Sequence, residues 1–145
     1  MNLDYGSGRK YPKGYKTSDF TGSPAYAYMI EDYLIKEIKD GEVKRLRCRN
    51  VLHHIRPNDL PKVFNEFSRL LCDGGELIIS EPREEYFKQN KILDLIWYRF
   101  LYDDRKIYIP EYYVNFEDYI NKEVFKRTSH KIDIKNDVIT YKKVK

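Results

Sequence analysis

Residues Asn50–Pro82 constrain the fold of this chain more than any other stretch. Asn50-Val51-Leu52-His53-His54-Ile55 closes a short apolar strand, an amphipathic segment follows, and Asp73-Gly74-Gly75 leads into Leu77-Ile78-Ile79-Ser80-Glu81-Pro82. In the middle segment Leu60, Val63, Phe64, Phe67, Leu70 and Leu71 recur at helical spacing. Asn58 or Asp59 is positioned to cap that helix, and Pro61 falls in its first turn, where no backbone donor is needed. Asp73-Gly74-Gly75 reads as a helix stop and turn. The apolar run Leu77–Ile79 predicts a central strand buried on both faces. Strand, helix, strand is half of an open α/β sheet, and such sheets bind ligands outside the carboxyl ends of their strands.

The remaining segments fit around that half. Asn2–Tyr5 predicts a short strand running into Gly6-Ser7-Gly8, and residues 9–14 read as loop. Tyr15–Phe20 alternates as a second strand, Thr21–Pro24 breaks it, and Ala25–Met29 is a third. Tyr33, Leu34, Ile35 and Ile38 suggest a short helix over Glu31–Lys39, ended by Asp40-Gly41. Glu42–Asn50 predicts the strand that continues into Val51-Leu52. Ile92, Leu93, Ile96, Trp97, Phe100 and Leu101 have helical spacing, and Asn115 caps a helix carrying Phe116, Tyr119, Ile120 and Val124. The tail alternates through Ile132 and Ile134, turns at Lys135-Asn136-Asp137 and returns through Val138, Ile139 and Tyr141 as a β-hairpin. The expected fold is α/β: a Rossmann-like, mostly parallel sheet with helices on both faces, a truncated first crossover and a C-terminal antiparallel hairpin.

The 145 residues fit one domain, 1–145, with a single core. No apolar run approaches the ~20 residues of a membrane span, and the first residues lack the pattern of a signal peptide, so a cytoplasmic protein is expected. Cys48 and Cys72 are too few for a disulfide framework or a cysteine zinc site and read as buried reduced thiols. Adjacent histidines rarely converge on one ion, so no metal is expected at His53 and His54. The net charge of +4 is a mild excess, much of it in the tail Tyr141–Lys145, and is smaller than a nucleic-acid face usually carries.

The turn Gly6-Ser7-Gly8 follows an apolar strand directly, and its glycines let a ligand approach the backbone. Asp19 ends the next strand, where a carboxylate can accept hydrogen bonds from both hydroxyls of a ribose. Dinucleotide sites add a third glycine and a helix that receives the pyrophosphate. Here position 11 is Tyr, and ten residues separate Gly8 from Asp19, too few for a crossover helix plus a strand. A nucleoside without phosphate, bearing a small amino-acid arm, fits better. S-adenosylmethionine is such a ligand.

With Leu3–Gly8, Asp19, Asn50–Ile55 and Arg69–Ile79 in these positions, the chain resembles the class I S-adenosylmethionine-dependent methyltransferases, in particular the small, type 11-like ones acting on small molecules, lipids or saccharides. The resemblance covers Asn2 to Pro82 and implies S-adenosyl-L-methionine as cofactor. It implies that Asp4, Gly6 and Gly8 line the methionine arm, that Asp19 binds the ribose with Phe20 against the adenine, and that Asp32 stands near the adenine amine. Asn50 and Leu52 would lie under the sulfonium and its methyl group. Because the chain begins at the first predicted strand, it is expected to be a minimal form lacking the family's N-terminal helices. A homodimer, a large acceptor or a partner protein is then expected to supply the missing wall. The aromatic segment Trp97–Phe116 falls where the family inserts a substrate lid.

Methyl transfer asks for in-line positioning of the nucleophile, and for a general base only where the acceptor loses a proton. His54, and after it His53, are the candidates, since histidine titrates near neutral pH. His130 has no identifiable partner. Glu81, Glu84 and Glu85 either face an acceptor or form a solvated turn. The reading is a methyltransferase for an O, N or C atom of a small molecule, sugar or lipid. The alternative is a non-catalytic S-adenosylmethionine-fold module acting through a partner protein. A nicotinamide-linked oxidoreductase is disfavoured by the short first turn, and a nucleic-acid-modifying enzyme by the weak charge.

Overall fold

The structure, a computed structural model, describes residues 1–8, 11–20, 25–82, 114–132 and 136–145. Seven strands form one sheet: β1 Asn2–Tyr5, β2 Lys16–Asp19, β3 Tyr28–Met29, β4 Val43–Arg49, β5 Leu71–Pro82, β6 Phe125–Ile132 and β7 Asn136–Lys143, in the order β3-β2-β1-β4-β5-β7-β6. The first five are parallel, and β7 lies antiparallel between β5 and β6. The expected parallel sheet and terminal hairpin are both present. The order reverses at β1/β4, and the carboxyl ends of β1, β2 and β4 meet there, as ligand-binding sheets of this kind require.

The helix α1, Leu60–Leu70, packs one face of the sheet, with Phe67 edge-on to Tyr5 at 4.9 Å. Leu3, Tyr5, Leu46, Cys48, Leu77 and Ile79 are buried on that face. Residues in register share a face, so Asp4, Arg47, Ile78 and Thr140 form a row on the other, beside the Arg45–Glu76 pair. Burial of β5 on both faces was expected, but only Leu77 and Ile79 are fully buried while Ile78 is half-buried among these polar neighbours. Tertiary pattern, not the local apolar run, decides which side of the strand is dry.

Several expected elements take another form. Asp59 precedes α1 but makes no side-chain cap; its carboxylate accepts from the Tyr33 hydroxyl instead. At the other end no turn intervenes, and Leu71 enters β5 directly. Lys143 Nζ donates to the carbonyls of Ser68 and Leu71, and Gly41 N to that of Arg69, so the helix end is closed by distant residues. The Asp73-Gly74-Gly75 segment is a bulge within β5: Val43 pairs Leu71 and Arg45 pairs Glu76, leaving Cys72–Gly75 opposite Lys44.

The helix expected over Glu31–Lys39 does not form. Glu31 and Leu34 exchange both backbone hydrogen bonds at 2.9 Å around Asp32 and Tyr33, whose φ of 50° and 69° are those of a tight hairpin turn. The following backbone is claimed by α1. Ile35 N donates to Glu66 Oε1 at 2.9 Å, and Arg69 donates to the carbonyls of Ile35 and Ile38. No helix lies between β1 and β2 among the described residues. Asn115 does cap, accepting from Glu117 N, but the helix is one 3-10 turn, Phe116–Asp118. Asn136 and Asp137, expected in the hairpin turn, open β7. The helical spacing read in residues 92–101, Glu84, Glu85 and most of the segment 97–116 lie outside the described residues. No helix of those described is long and apolar enough to cross a membrane.

Candidate functional site

The site is built where β1, β2, β4 and β5 end. β1 leaves the sheet at Gly6, with φ of 68°. A Cβ there would stand 2.6 Å from Val51 Cγ2, so the missing side chain lets the turn close onto the residues after β4. Gly8, with φ of 56°, has no atom of the described residues within 4 Å of where its Cβ would be. Ser7 N donates to Ser18 O at 2.8 Å, and the hydroxyls of Ser7 and Ser18 both donate to Asp4 O at 3.0 Å, locking the turn to β2.

Asp19 completes that lock. Its Oδ2 accepts from Gly8 N at 2.6 Å and its Oδ1 from Phe20 N at 2.8 Å. An ionised carboxylate has about four acceptor positions, so two bonds leave it capacity for ligand hydroxyls. The Phe20 ring is 40% exposed and meets Tyr5 and Tyr33 edge-on at 5.9 and 6.0 Å. Tyr26 closes the rim: its hydroxyl donates to Gly8 O at 2.6 Å, and its ring stacks with Tyr11. Burial, then the Asp59 carboxylate, raises the Tyr33 phenol above the ordinary tyrosine range. Asp32 is exposed and pairs with Lys62 of α1.

Asp4 lies differently from its neighbours in sequence. Its carboxylate is 3% exposed and takes two bonds from Arg47, Nε to Oδ1 at 2.7 Å and a terminal guanidinium nitrogen to Oδ2 at 3.0 Å. The Arg47 guanidinium in turn lies 5.3 Å from the centre of the Tyr15 ring. The Asp4 carboxylate therefore braces the sheet beneath the turn, while its carbonyl holds the turn itself.

The second cluster follows β4. Asn50 has φ of 54°, donates its N–H to Ser80 O, and accepts from Asn136 Nδ2 at 2.8 Å. Asn136 also donates to Ser80 Oγ, so the side chain at the sulfonium position expected of Asn50 is fixed from β7. Leu52–His54 form one 3-10 turn, with Leu52 buried. The carboxylate of Glu81, 7% exposed, sits beneath it. Oε1 accepts from Val51 N and Leu52 N at 2.9 Å each, and Oε2 from His53 N at 3.3 Å and stands 2.6 Å from His53 Nδ1. The His53 and His54 rings lie 4.0 Å apart, with His54 the more exposed. Burial, then the nearby Glu81 and Asp4 carboxylates, pushes the Cys48 thiol well up, so it stays protonated. His130, at the far hairpin, pairs with Asp137. Among the described residues no three His, Cys, Asp or Glu side chains are grouped to hold a metal ion.

The structure thus gathers Gly6, Gly8, Asp19 and Phe20 in one cluster and Asn50, Leu52, His53 and His54 in a second, joined where Gly6 meets Val51. Asp4 and Asp32 flank them. Asn136, Arg47 and Tyr26 were not anticipated as site residues; Glu81 was expected to face an acceptor or to lie in a solvated turn, and is instead buried against the amides of Val51, Leu52 and His53. Glu81 carried a signal: it follows Leu77 and Ile79 at a spacing of two, which places it on their buried face. Asn136 carried none, because its partners are remote in sequence.

No protein-family profile and no curated protein matches the chain by sequence. Solved structures do match by fold. The PH0226 protein of Pyrococcus horikoshii aligns over 97% of this chain and 80% of its own, with TM-score 0.66 and 14% identity. A SAM-dependent methyltransferase from Methanosarcina mazei aligns over 98% and 91%, with TM-score 0.64 and 15% identity. The 1,6-didemethyltoxoflavin-N1-methyltransferase of Burkholderia thailandensis, solved with its substrate and S-adenosylhomocysteine, aligns over 99% and 70%, with TM-score 0.63 and 14% identity. The chain has the Rossmann-like fold of SAM-dependent methyltransferases.

Proposed function

We propose that residues 1–145 form a single methyltransferase domain that binds S-adenosylmethionine and methylates an O, N or C atom of a small molecule, sugar or lipid. The observation that carries this reading is the joint between Asp19 and Gly8. A strand-end carboxylate with acceptor capacity to spare is held 2.6 Å from the amide of a glycine turn whose outer side, at Gly8, is clear of the described residues. Asp19 would hold the ribose hydroxyls, Phe20 the adenine, and Gly6 and Gly8 the methionine arm, with Asp4 bracing the turn through Arg47. Asp32 stands on the adenine side. Asn50 and Leu52 face the methyl group, and His53 and His54 face the acceptor. The bound cofactor supplies an activated methyl group; the protein's part is to align an acceptor and, where needed, take its proton. The two free thiols, Cys48 buried as expected and Cys72 half-buried rather than buried, fit a reducing compartment such as the cytoplasm.

One observation favours the non-catalytic alternative. The Asp4 carboxylate is already paired with Arg47 and the Asp19 carboxylate with the amides of Gly8 and Phe20, so the turn is braced by the protein's own groups. Titration calorimetry with S-adenosylmethionine and S-adenosylhomocysteine separates the readings. The enzyme reading expects both to bind, and Asp19→Ala to weaken binding by a factor of about 10–100, the value of one or two hydrogen bonds to a charged group, with the fold kept. No heat at millimolar ligand sinks cofactor binding, and unchanged affinity in Asp19→Ala sinks the role given to Asp19.

A further inference from the structure

We propose that the sheet face opposite α1 docks an acidic, amphipathic helix of a partner protein. Alternate residues of a strand share a face, and so do residues in register. Opposite α1, β4 therefore presents Arg45, Arg47 and Arg49, the edge strand β6 presents Lys126 and Lys131, and β7 adds Lys142. All of these except Arg47 are exposed. The carboxylates on the face are Asp4 and Glu76, which Arg47 and Arg45 already hold. Six cations against two carboxylates leave +4, the net charge of the whole chain, so the remaining residues balance. A charge that is mild over the sequence is thus concentrated on one side of the sheet.

The layout selects the occupant. In the order β4-β5-β7-β6, the arginine column and the lysine column of β6 stand three strand spacings apart, about 14 Å. Between them β5 and β7 present Ile78, Thr140 and Val138, each half-buried. A helix is about 10–12 Å across. Laid along β5 and β7, it fits between the columns, with an apolar stripe on Ile78 and Val138 and carboxylates on both flanks. Parallel strands such as β4 and β5 are as a rule covered on both faces, and the one α-helix among the described residues lies on the other face. A second copy of the chain would bring the same cations, and like charge opposes that contact. Single-stranded nucleic acid stacks its bases on aromatic rings, and no ring stands in the rows that run from Arg45, Arg47 and Arg49 to β6. Docking on this face does not depend on S-adenosylmethionine binding at the strand ends.

The probe is a fluorescent synthetic helical peptide of about 14 residues, four turns, with a leucine stripe flanked by glutamates. Anisotropy is expected to show saturable binding that weakens as salt rises. The triple variant Lys126→Glu, Lys131→Glu, Lys142→Glu should bind at least about tenfold more weakly. Lys13→Glu, Lys39→Glu, Lys122→Glu together make the same change of net charge at exposed positions outside these rows, and should leave affinity within about twofold. Serine in place of the leucines should weaken the peptide as well. In amide chemical-shift mapping of the wild-type protein, the shifts should centre on Ile78, Val138 and Thr140, a reading that stands even if the first variant does not fold. Equal losses in the two variants, shifts centred elsewhere or no binding at millimolar peptide overturn the docking face. Equal binding by the serine peptide, or tighter binding of a uridine oligonucleotide or of phosphatidylserine vesicles to the same face, overturns the helical occupant.

Discussion

The β4–α1–β5–β7 half of the molecule and the β1–β2–β3 half are held by different means. In the first, strands of 7, 12 and 8 residues share long ladders, and α1 covers one face. In the second, the strands have 4, 4 and 2 residues, and the loops between them are fixed by single side chains: Ser18 and Asp19 on the first turn, Tyr26 on its rim. A long ladder is cooperative, whereas a lone hydrogen bond contributes about 1 kcal/mol. The difference teaches that the geometry of the glycine turn is set by point contacts, while the histidine turn is set by a buried carboxylate in the long-stranded part of the sheet.

The largest expected effect lies where the halves are tied. Glu66 is 2% exposed and receives Ile35 N and two bonds from Arg69, which itself holds the 35–40 loop. Removing one partner of a buried ion pair costs about 3–5 kcal/mol. Glu66→Ala should therefore lower the urea midpoint by that equivalent, measured by circular dichroism. A loss below about 1 kcal/mol would break the comparison, because that loop would then be held by something other than α1.

Gly6→Ala comes next. Left-handed backbone costs an ordinary residue about 1–2 kcal/mol, and the new Cβ would lie 2.6 Å from a stiff Val51 side chain. Together with the overpacking cost, a loss of about 2–4 kcal/mol is expected in the same assay. Pairing it with Val51→Ala should recover part of the loss. No recovery would mean that the joint between the two clusters is not steric.

A smaller effect depends on pH. Tyr5 is buried between the halves and donates to Tyr33 O. Burial, then nearby Cys48 and Glu66, holds its phenol protonated far above the ordinary tyrosine range. The unfolded phenol ionises near pH ~10, so this group's contribution is complete below that pH. Above it the unfolded chain releases a proton that the folded one keeps, and stability falls by about 1.4 kcal/mol per pH unit. Tyr5→Phe should flatten the alkaline limb of a stability–pH curve by about that slope, with Tyr33 and Tyr141 keeping theirs. An unchanged slope would place Tyr5 in contact with solvent.

Legibility in the sequence divides along the same line. The α1 stripe and the strands around it were readable because apolar periodicity reports burial directly. The Glu31–Lys39 segment was misread because Ile35 and Ile38 have helical spacing, but Glu66 and Arg69 claim the backbone groups a helix would have used. Among the candidate site residues, the turn at Gly6 and Gly8 and the strand-end position of Asp19 were readable because a turn and a strand end have local signatures. The alternation through Leu77 and Ile79 puts Glu81 on the buried face, but its partners lie some 30 positions away and one partner of Asn136 lies 86 away, and no local pattern encodes such pairs.

Gly8→Ala is the finest test, because Gly6 and Gly8 share a backbone conformation and differ in surroundings. Both have φ in the left-handed region, yet among the described residues a Cβ at Gly8 meets nothing within 4 Å. The stability cost should therefore be the backbone strain alone, about 1–2 kcal/mol, against the larger loss at Gly6, which adds overpacking. If that side of Gly8 is where a ligand approaches the backbone, the same methyl group occupies that space. S-adenosylmethionine affinity should then fall at least about tenfold, more than that strain explains through a shift in folded population. Calorimetry beside urea melts reads both quantities. Equal losses of stability at Gly6 and Gly8 would place the rigid joint across the whole turn. Unchanged affinity in Gly8→Ala would move the ligand off it and leave Asp19 as a brace for the turn.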